Sequence, residues 1–405
     1  MKVGLITFHT FFQPGGVKRH VLGLYKEFKK RGIEAKIIVP RRKKSEKYGS
    51  DVILLGTSFP MNFTGSQSDF NINFDPIAIE RTLKREKFDV LHFHNFGLPS
   101  ILQILISPSV TDTLNILTFH SNIRGNKFLE SFPSLLYLLD KICQWKIDGI
   151  IGVAPLILDY FKYYHGPKTV IPNGIDLDKF NPKVPPIRKF TDKKINILFV
   201  GRIEERKGLI YLLRAFKLLE KKFSNLRLII IGEGPLEEEC QQYVNENNLR
   251  EVIFEGQITK EIPSYYKTAD IFVSPAIFGE SFGLVLAEAM ACGAPVVAFA
   301  NQGYKSFLKG KAAEKFLTKP KDYRGLAKKI EILIKNPKLR EKVAEQGMKE
   351  VKEYSWTTVA DQVLDFYKLS QKSKAKRREN DLSLEKIIKK LTSEDILDWI
   401  NRLLE

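Results

Sequence analysis

The chain is poor in the residues that build covalent or metal-held scaffolds. Its 405 residues include only three cysteines, Cys143, Cys240 and Cys292, far apart and without CxxC or Cys/His spacing. That excludes a disulfide framework and argues against any bound metal on thiols. Long apolar runs are missing too: none approaches the roughly 18 to 20 residues of a membrane span. Met1 to Phe8 reads as a buried strand, shorter than the apolar core of a signal peptide. These absences together predict a cytoplasmic protein with reduced thiols. Acid is the scarcer charge, 47 Asp and Glu against 65 Lys and Arg, a net +18. The first fifty residues hold 13 basic and 3 acidic side chains, a local +10, densest in RRKKSEK from Arg41 to Lys47. Such a patch either attracts anionic surfaces, whether lipid headgroups or phosphorylated substrates, or is simply a solvated loop. Charge alone would also allow nucleic acid, but the acidic stretch EEEC at 237–240 and the lack of aromatic residues interleaved with basic ones give it little support, and no nucleic-acid partner is expected.

What is plentiful is apolar surface: 43% hydrophobic residues, 28 of them Phe, in a chain long enough for two or three domains. Short aliphatic runs alternate with helical segments: VGLITF (3–8), AKIIVP (35–40), FDVLHFH (88–94), NILTFH (115–120), GIIGVA (149–154) and KTVIPN (168–173). The pattern restarts with INILFVG (195–201), LRLIIIG (226–232), EVIFEG (251–256), DIFVSP (270–275) and APVVAFA (294–300). Strands alternating with helices predict parallel sheets covered on both faces, hence an α/β protein of two doubly wound, Rossmann-like domains across a cleft. The prolines at 182, 185 and 186 mark a linker. The expected division is an N-terminal domain over 1–180, a linker over 181–193 and a second domain over 194–355. A helix over 356–370 would cross back to the first domain. Residues 371–405 would form a charged linker, QKSKAKRREN, and an amphipathic helix carrying Ile387, Ile388, Leu391, Ile396, Trp399, Ile400 and Leu403. That appendix would dock on its own chain, on a partner or on a membrane surface.

Three stretches carry chemistry. In HTFFQPGGVKRH (9–20), Gly15 and Gly16 open a helix and let backbone N–H groups approach an anion, or merely make a tight turn; the spacing is not a dinucleotide fingerprint. In FVGRIEERKG (199–208), Arg202 and Lys207 stand between a strand and a helix, a diphosphate clamp or a surface salt-bridge cluster with Glu204 and Glu205. In GESFGLVLAEAM (279–290), Glu280 and Glu288 share no face with Lys or Arg at helical spacing. Ser281 suits an N-cap, and a helix to Ala291 closed by Gly293 would set the two carboxylates roughly 10–12 Å apart along its axis. That is the span of a nucleoside diphosphate sugar from ribose to hexose. The N–H groups of Ser281, Phe282 and Gly283 would meet the diphosphate between them.

GESFGLVLAEAM resembles the E-x7-E motif of family 4 of the retaining glycosyltransferases, which have the two-domain GT-B fold. PGGVKRHV, TFHS, VIPNGID, FVGR....KG, IIGEGP, EGQI and YSW follow in that family's order over residues 1–370. Within it the nearest likeness is to the phosphatidylinositol α-mannosyltransferases. The resemblance implies that Arg202 and Lys207 bind the donor diphosphate, Glu280 the transferred sugar and Glu288 the ribose. It also implies that Gly15 and Gly16 admit the donor and that His120 stands beside the reacting face of the sugar. His92 and His94 are left outside that set, one of them being read as core. Phe12 replaces a residue that is often polar in the family, and NQGYKSFLKG lacks the GG-x-x-E run. The family works without a metal or bound cofactor, so Asp176 and Asp178 in NGIDLD are read as turn residues.

The implied function is a retaining hexosyltransferase that uses a nucleotide sugar, GDP-mannose favoured and a UDP-sugar as alternative. Its acceptor would be a phospholipid or polyprenyl-linked molecule at the inner face of the cell membrane, with the basic first domain on the anionic surface. The alternatives are a transferase for soluble sugars or glycans, and an inert binding module of the same fold.

Overall fold

The computed structural model describes residues 1–12, 15–63, 66–97, 99–122 and 133–388. Gln13 and Pro14 of the first motif and residues 389–405 of the appendix, with Leu391, Ile396, Trp399, Ile400 and Leu403, lie outside the described residues.

The aliphatic runs form two sheets. The first has eight strands, β1 (Lys2–Thr7), β2 (Glu34–Arg41), β3 (Val52–Phe63), β4 (Ser66–Ile72), β5 (Val90–His94), β6 (Leu114–Phe119), β7 (Gly149–Gly152) and β8 (Lys168–Val170). Their spatial order is β4-β3-β2-β1-β5-β6-β7-β8, parallel except for the β3–β4 hairpin. That hairpin was not expected, because Gly, Ser, Asn and Asp interrupt the apolar alternation between 56 and 71. The second sheet has six parallel strands: β9 (Ile195–Val200), β10 (Leu226–Ile231), β11 (Val252–Phe254), β12 (Ile271–Ser274), β13 (Val296–Phe299) and β14 (Leu317–Thr318). Their order is β11-β10-β9-β12-β13-β14.

Continuous apolar strands are what two covered faces require. Leu5 and Ile6 are both buried, but in different apolar clusters, because successive side chains leave opposite faces of a strand. Leu198 and Phe199 divide in the same way in the second sheet. Both strands of each switch pair, β1 with β5 and β9 with β12, point their carboxyl ends into one crevice, the place where such sheets bind ligands.

Four helices bear on the site. α1 (Gly16–Lys30) follows β1, α2 (Leu209–Glu220) follows β9, α3 (Leu284–Ala291) follows β12, and α4 (Trp356–Ile388) ends the described chain. α4 lies on the first sheet: Val359, Ala360, Val363, Phe366 and Tyr367 are buried with Val3, Leu5, Val21, Leu24 and Phe28. The Trp356 ring occupies the space that a side chain at Gly23 or Gly174 would need. QKSKAKRREN, expected as a linker, is instead part of α4. Its residues are good helix formers without Gly or Pro, and Lys374 Nζ and Arg377 Nη2 each pair with buried Asp148 at 2.9 Å.

Candidate active site

Two loops of the second domain build one half of the site. After β9 the chain turns through Gly208 at φ +68°, where a Cβ would stand 2.2 Å from the Pro275 carbonyl oxygen. Only glycine lets the loop seat directly on the segment after β12. The Ile277 N–H then bonds the Arg206 carbonyl at 2.7 Å. This close seating brings Lys207 Nζ to 2.6 Å and Arg206 Nη1 to 3.2 Å from Glu280 Oε1. Glu280 is largely buried; burial works to raise its pKa, but Lys207 and Arg206 outweigh it and the carboxylate is held below its ordinary range. Lys207 has three N–H donors, and Glu280 occupies one direction only.

Arg202 is turned another way. It pairs with buried Glu204 at 3.6 Å, its side chain 43% exposed, and Arg206 Nε also rests on Glu204. Arg206 was missed by the sequence reading, although its place beside Lys207 in ERKG was the available signal.

The helix bearing the second glutamate starts later than the capping residue predicted. α3 begins at Leu284 with Gly283 as N-cap, at φ 104°. Glu280, Ser281 and Phe282 therefore lie in the loop ahead of the helix, and the two carboxylates do not share one helical axis. The physical reason is that each of these residues has a partner that helical geometry would forbid. Phe282 is buried against Phe307 and Tyr354, with ring centroids 4.9 and 5.2 Å away. Ser281 Oγ donates to the His120 carbonyl at 2.6 Å, and Asn122 Nδ2 donates to the Glu280 carbonyl at 3.1 Å. The GESF turn is thus strapped to the loop after β6 of the first domain.

Glu288 sits inside α3, 5% exposed. Burial raises its pKa, with Arg19 and the Tyr266 hydroxyl opposing. Arg19 Nη1 bridges from α1, and Tyr266 Oη donates to Oε2 at 3.2 Å. Arg19 was also missed; KRH offered it one turn into the helix behind Gly15-Gly16. The two helix starts are neighbours, for a Cβ at Gly16 would be 3.9 Å from Leu284 Cδ1. Each helix start carries free N–H groups and a positive dipole end, which favour an anion nearby. Beside them a cleft of about 610 Å³ is lined by Arg19, His20, Asn173, Leu284, Glu288 and Trp356, a size suited to a small ligand. Lys207 and Glu280 lie outside that lining.

His120 follows β6 and does not stand alone. Its Nε2 is 3.2 Å from His94 Nδ1, and its ring lies 4.6 Å from that of His20. His20 and His94 are buried, whereas His120 is partly exposed. His92 is buried as well, bonded to Tyr367 Oη at 2.7 Å and Thr118 Oγ1 at 2.6 Å. Both histidines of HFH are therefore core, because β5 is central in its sheet and covered on both faces. Burial, reinforced by the mutual repulsion of the cluster, holds His120 well below the ordinary imidazole pKa. It is neutral at pH 7, a hydrogen-bonding group and not a cation. Asp176 accepts from the Lys179 N–H at 3.0 Å, as a turn residue does.

Two Rossmann-like sheets facing across a crevice, with cations and helix starts gathered at the switch strands, define a GT-B glycosyltransferase. Residues 181–350 match the family described as glycosyl transferases group 1, and residues 14–179 match glycosyltransferase family 4. The chain belongs to the family 4 glycosyltransferases. It is 30% identical over 374 residues to the phosphatidyl-myo-inositol mannosyltransferase of Mycobacterium leprae, covering 91% of this chain and 96% of that one. It is 26% identical over 371 residues to the alpha-monoglucosyldiacylglycerol synthase of Streptococcus pneumoniae, covering 87% and 82%. Among solved structures, Anabaena Alr3699/HepE in complex with UDP aligns with a TM-score of 0.72 at 18% identity, over 90% of this chain and 99% of that one. The protein is accordingly a sugar-transferring enzyme, a hexosyltransferase. No helix among the described residues is long and apolar enough to cross a membrane.

Proposed function

We propose that the protein is a retaining, metal-independent mannosyltransferase that moves mannose from GDP-mannose to a phosphatidylinositol-type lipid at the cytoplasmic membrane face. The observation that carries this reading is the Lys207–Glu280–Arg206 constellation in the loops ahead of α2 and α3. It supplies fixed positive charge where a leaving diphosphate develops negative charge, the task a metal ion performs elsewhere. Glu280 accepts hydroxyls of the sugar, Lys207 and Arg202 hold the diphosphate, and Glu288 takes the ribose. Gly15 and Gly16 admit the phosphates to the start of α1. In the transfer step the acceptor oxygen attacks the anomeric carbon on the face the phosphate leaves. The carbon–phosphate-oxygen bond breaks, and the leaving phosphate takes the acceptor proton. Neutral His120 orients the sugar by hydrogen bonding.

The named substrates of two relatives support a lipid acceptor, since one acts on phosphatidyl-myo-inositol and the other yields a glucosyldiacylglycerol. The surface of the first domain supports membrane contact. Phe12, 46% exposed, lies under Lys43 Nζ at 4.4 Å, and Arg41, Lys44 and Lys47 of the same basic stretch as Lys43 are exposed. An exposed ring among cations suits the interface of an anionic bilayer. The test is transfer from labelled GDP-mannose to vesicles containing phosphatidylinositol, run against UDP-glucose with diacylglycerol vesicles and against water-soluble acceptors. Label in the phosphatidylinositol fraction from GDP-mannose alone is the expected result. Turnover confined to UDP-glucose or to a soluble acceptor would replace the donor or the lipid assignment.

The same reading predicts the effect of removing Arg19. Without it Glu288 loses its cationic partner and a charge-assisted contact near the ribose. Arg19→Ala should raise KM for the nucleotide sugar about 10-fold, the equivalent of ~1.4 kcal/mol, with little change in kcat. Initial-rate kinetics at varied donor checks this; an unaltered KM would detach Arg19 from donor binding.

A further inference from the structure

We propose that His20, His94 and His120 form a binding site for one zinc-like divalent ion of the late first transition row, and that occupancy of this site stops transfer. One ring nitrogen of each histidine lies within 4.8 Å of those of the other two. Two imidazole nitrogens on one tetrahedral ion stand about 3.3 Å apart, given Zn–N distances of 2.0–2.1 Å. His94 Nδ1 and His120 Nε2 are already 3.2 Å apart, so a small movement of the His20 ring completes a three-nitrogen face.

The protonation pattern fits ligation. His20 Nδ1 is 2.9 Å from Asn173 Oδ1. A carbonyl oxygen only accepts, so Nδ1 carries the proton and Nε2 presents a lone pair. That Nε2 is buried and has no hydrogen-bond partner, and neither has His94 Nε2. His94 Nδ1 and His120 Nε2 face each other, so in the metal-free protein one of them carries the proton between them, and a bound ion takes that proton's place. An imidazole that gives its other N–H to a carbonyl is the ordinary second layer of a metal site. Burial keeps all three rings neutral at pH 7, the form that binds metal. The groups facing the cluster from neighbouring elements include Asn173, His92, His9 and Trp356. His20, which lines the cleft with Asn173, gives an entry to the site. An ion there would draw His120 away from the sugar, which is why binding inhibits. That consequence rests on the transferase reading, whereas the binding itself does not.

The experiment uses the full chain, stripped with a chelator and dialysed, without substrate. Zn²⁺ is titrated against a chromophoric chelator, and Co²⁺ is followed by its visible absorption. The expected result is one equivalent bound and the intense bands of tetrahedral Co²⁺. His20→Ala should abolish both, and Asn173→Ala should weaken affinity about 10- to 100-fold. Exposed His165 serves as control, its alanine variant leaving binding and transfer unchanged. Weak octahedral bands, or binding unchanged in His20→Ala, would overturn the site. If His20→Ala does not fold by circular dichroism, Asn173→Ala, which removes no ring, decides. In the transfer assay one equivalent of Zn²⁺ should inhibit at least about 10-fold, reversibly with chelator. Full turnover at full occupancy would overturn the inhibition and leave the site standing. Zinc binding in a protein that transfers nothing would count against the transferase reading alone.

Discussion

Lys207→Ala lowers kcat/KM for the nucleotide sugar by about 10²- to 10³-fold, the cost of removing one preorganised charge from a site where charge develops in the transition state. The loss falls mainly on kcat, because a leaving diphosphate carries more charge than a bound one. Lys207 stands 2.6 Å from Glu280, closer than Arg206 of the same loop at 3.2 Å. The fold survives the change, since Arg206 at 3.2 Å still neutralises Glu280. Glu280→Gln should cost a comparable factor through the lost sugar contact. The double variant should cost less than the product of the two, because Lys207 and Glu280 are in direct contact and their effects couple. Single-turnover and steady-state rates with a thermal-melt control provide the measurement. Turnover within about 3-fold of the parent for Lys207→Ala, well short of the 10²-fold scale, would refute the assignment of Lys207 to the leaving group.

Acid should destabilise the first domain well above the range in which carboxylates titrate. His20 is pushed down to about 4 by burial, with its bond to Asn173 opposing, and His92, His94 and His120 are held well below 6.5, burial again leading. The sign follows from proton uptake. As pH falls below 6.5 the unfolded chain binds protons that the folded chain refuses, so stability is full above 6.5 and drains away toward 4. For His20 alone the difference between 6.5 and about 4 is worth about 3 kcal/mol. A domain stable by ~5–15 kcal/mol cannot absorb several such losses. Glu80 and Glu86, held at about 2, act only at lower pH. Between pH 6.5 and 4.5 the histidines are the groups that lower stability as acid is added, while raised Glu288 and Asp270 work the other way. Urea unfolding at pH 7, 6 and 5 should show the midpoint falling, less steeply in His20→Asn. A midpoint independent of pH over that range would mean that these rings are not buried neutral in solution.

Much of the architecture was legible because parallel strands covered on both faces must be continuously apolar. Runs such as LRLIII and ILFV have no other stable use in water. The β3–β4 hairpin was not legible, since its polar residues break the alternation that marks a strand. Nor was the continuation of α4 through QKSKAKRREN, where charge was read as a linker although the composition is that of a helix whose Lys374 and Arg377 reach Asp148. The site divides similarly. Glu280 and Glu288 stood out by their local pattern, and Lys207 and His120 only through the order of the family's motifs. Arg19, Arg206, His20 and His94 did not, because a cation in a basic helix or a histidine in an apolar strand has no distinctive neighbours until the chain folds.

By itself the sequence determined that there would be two parallel α/β domains, where their ligand-binding ends lie, and which motif carries the two carboxylates, because periodicity and turn chemistry are local properties. Only the tertiary structure decided what those carboxylates touch. Glu280 meets Lys207 because Gly208 lets one loop lie on another, Glu288 meets Arg19 across the cleft, and His120 joins two histidines from different segments. Pairings across 73, 269 and 26 residues of chain depend on the packing of whole sheets, which no local pattern encodes.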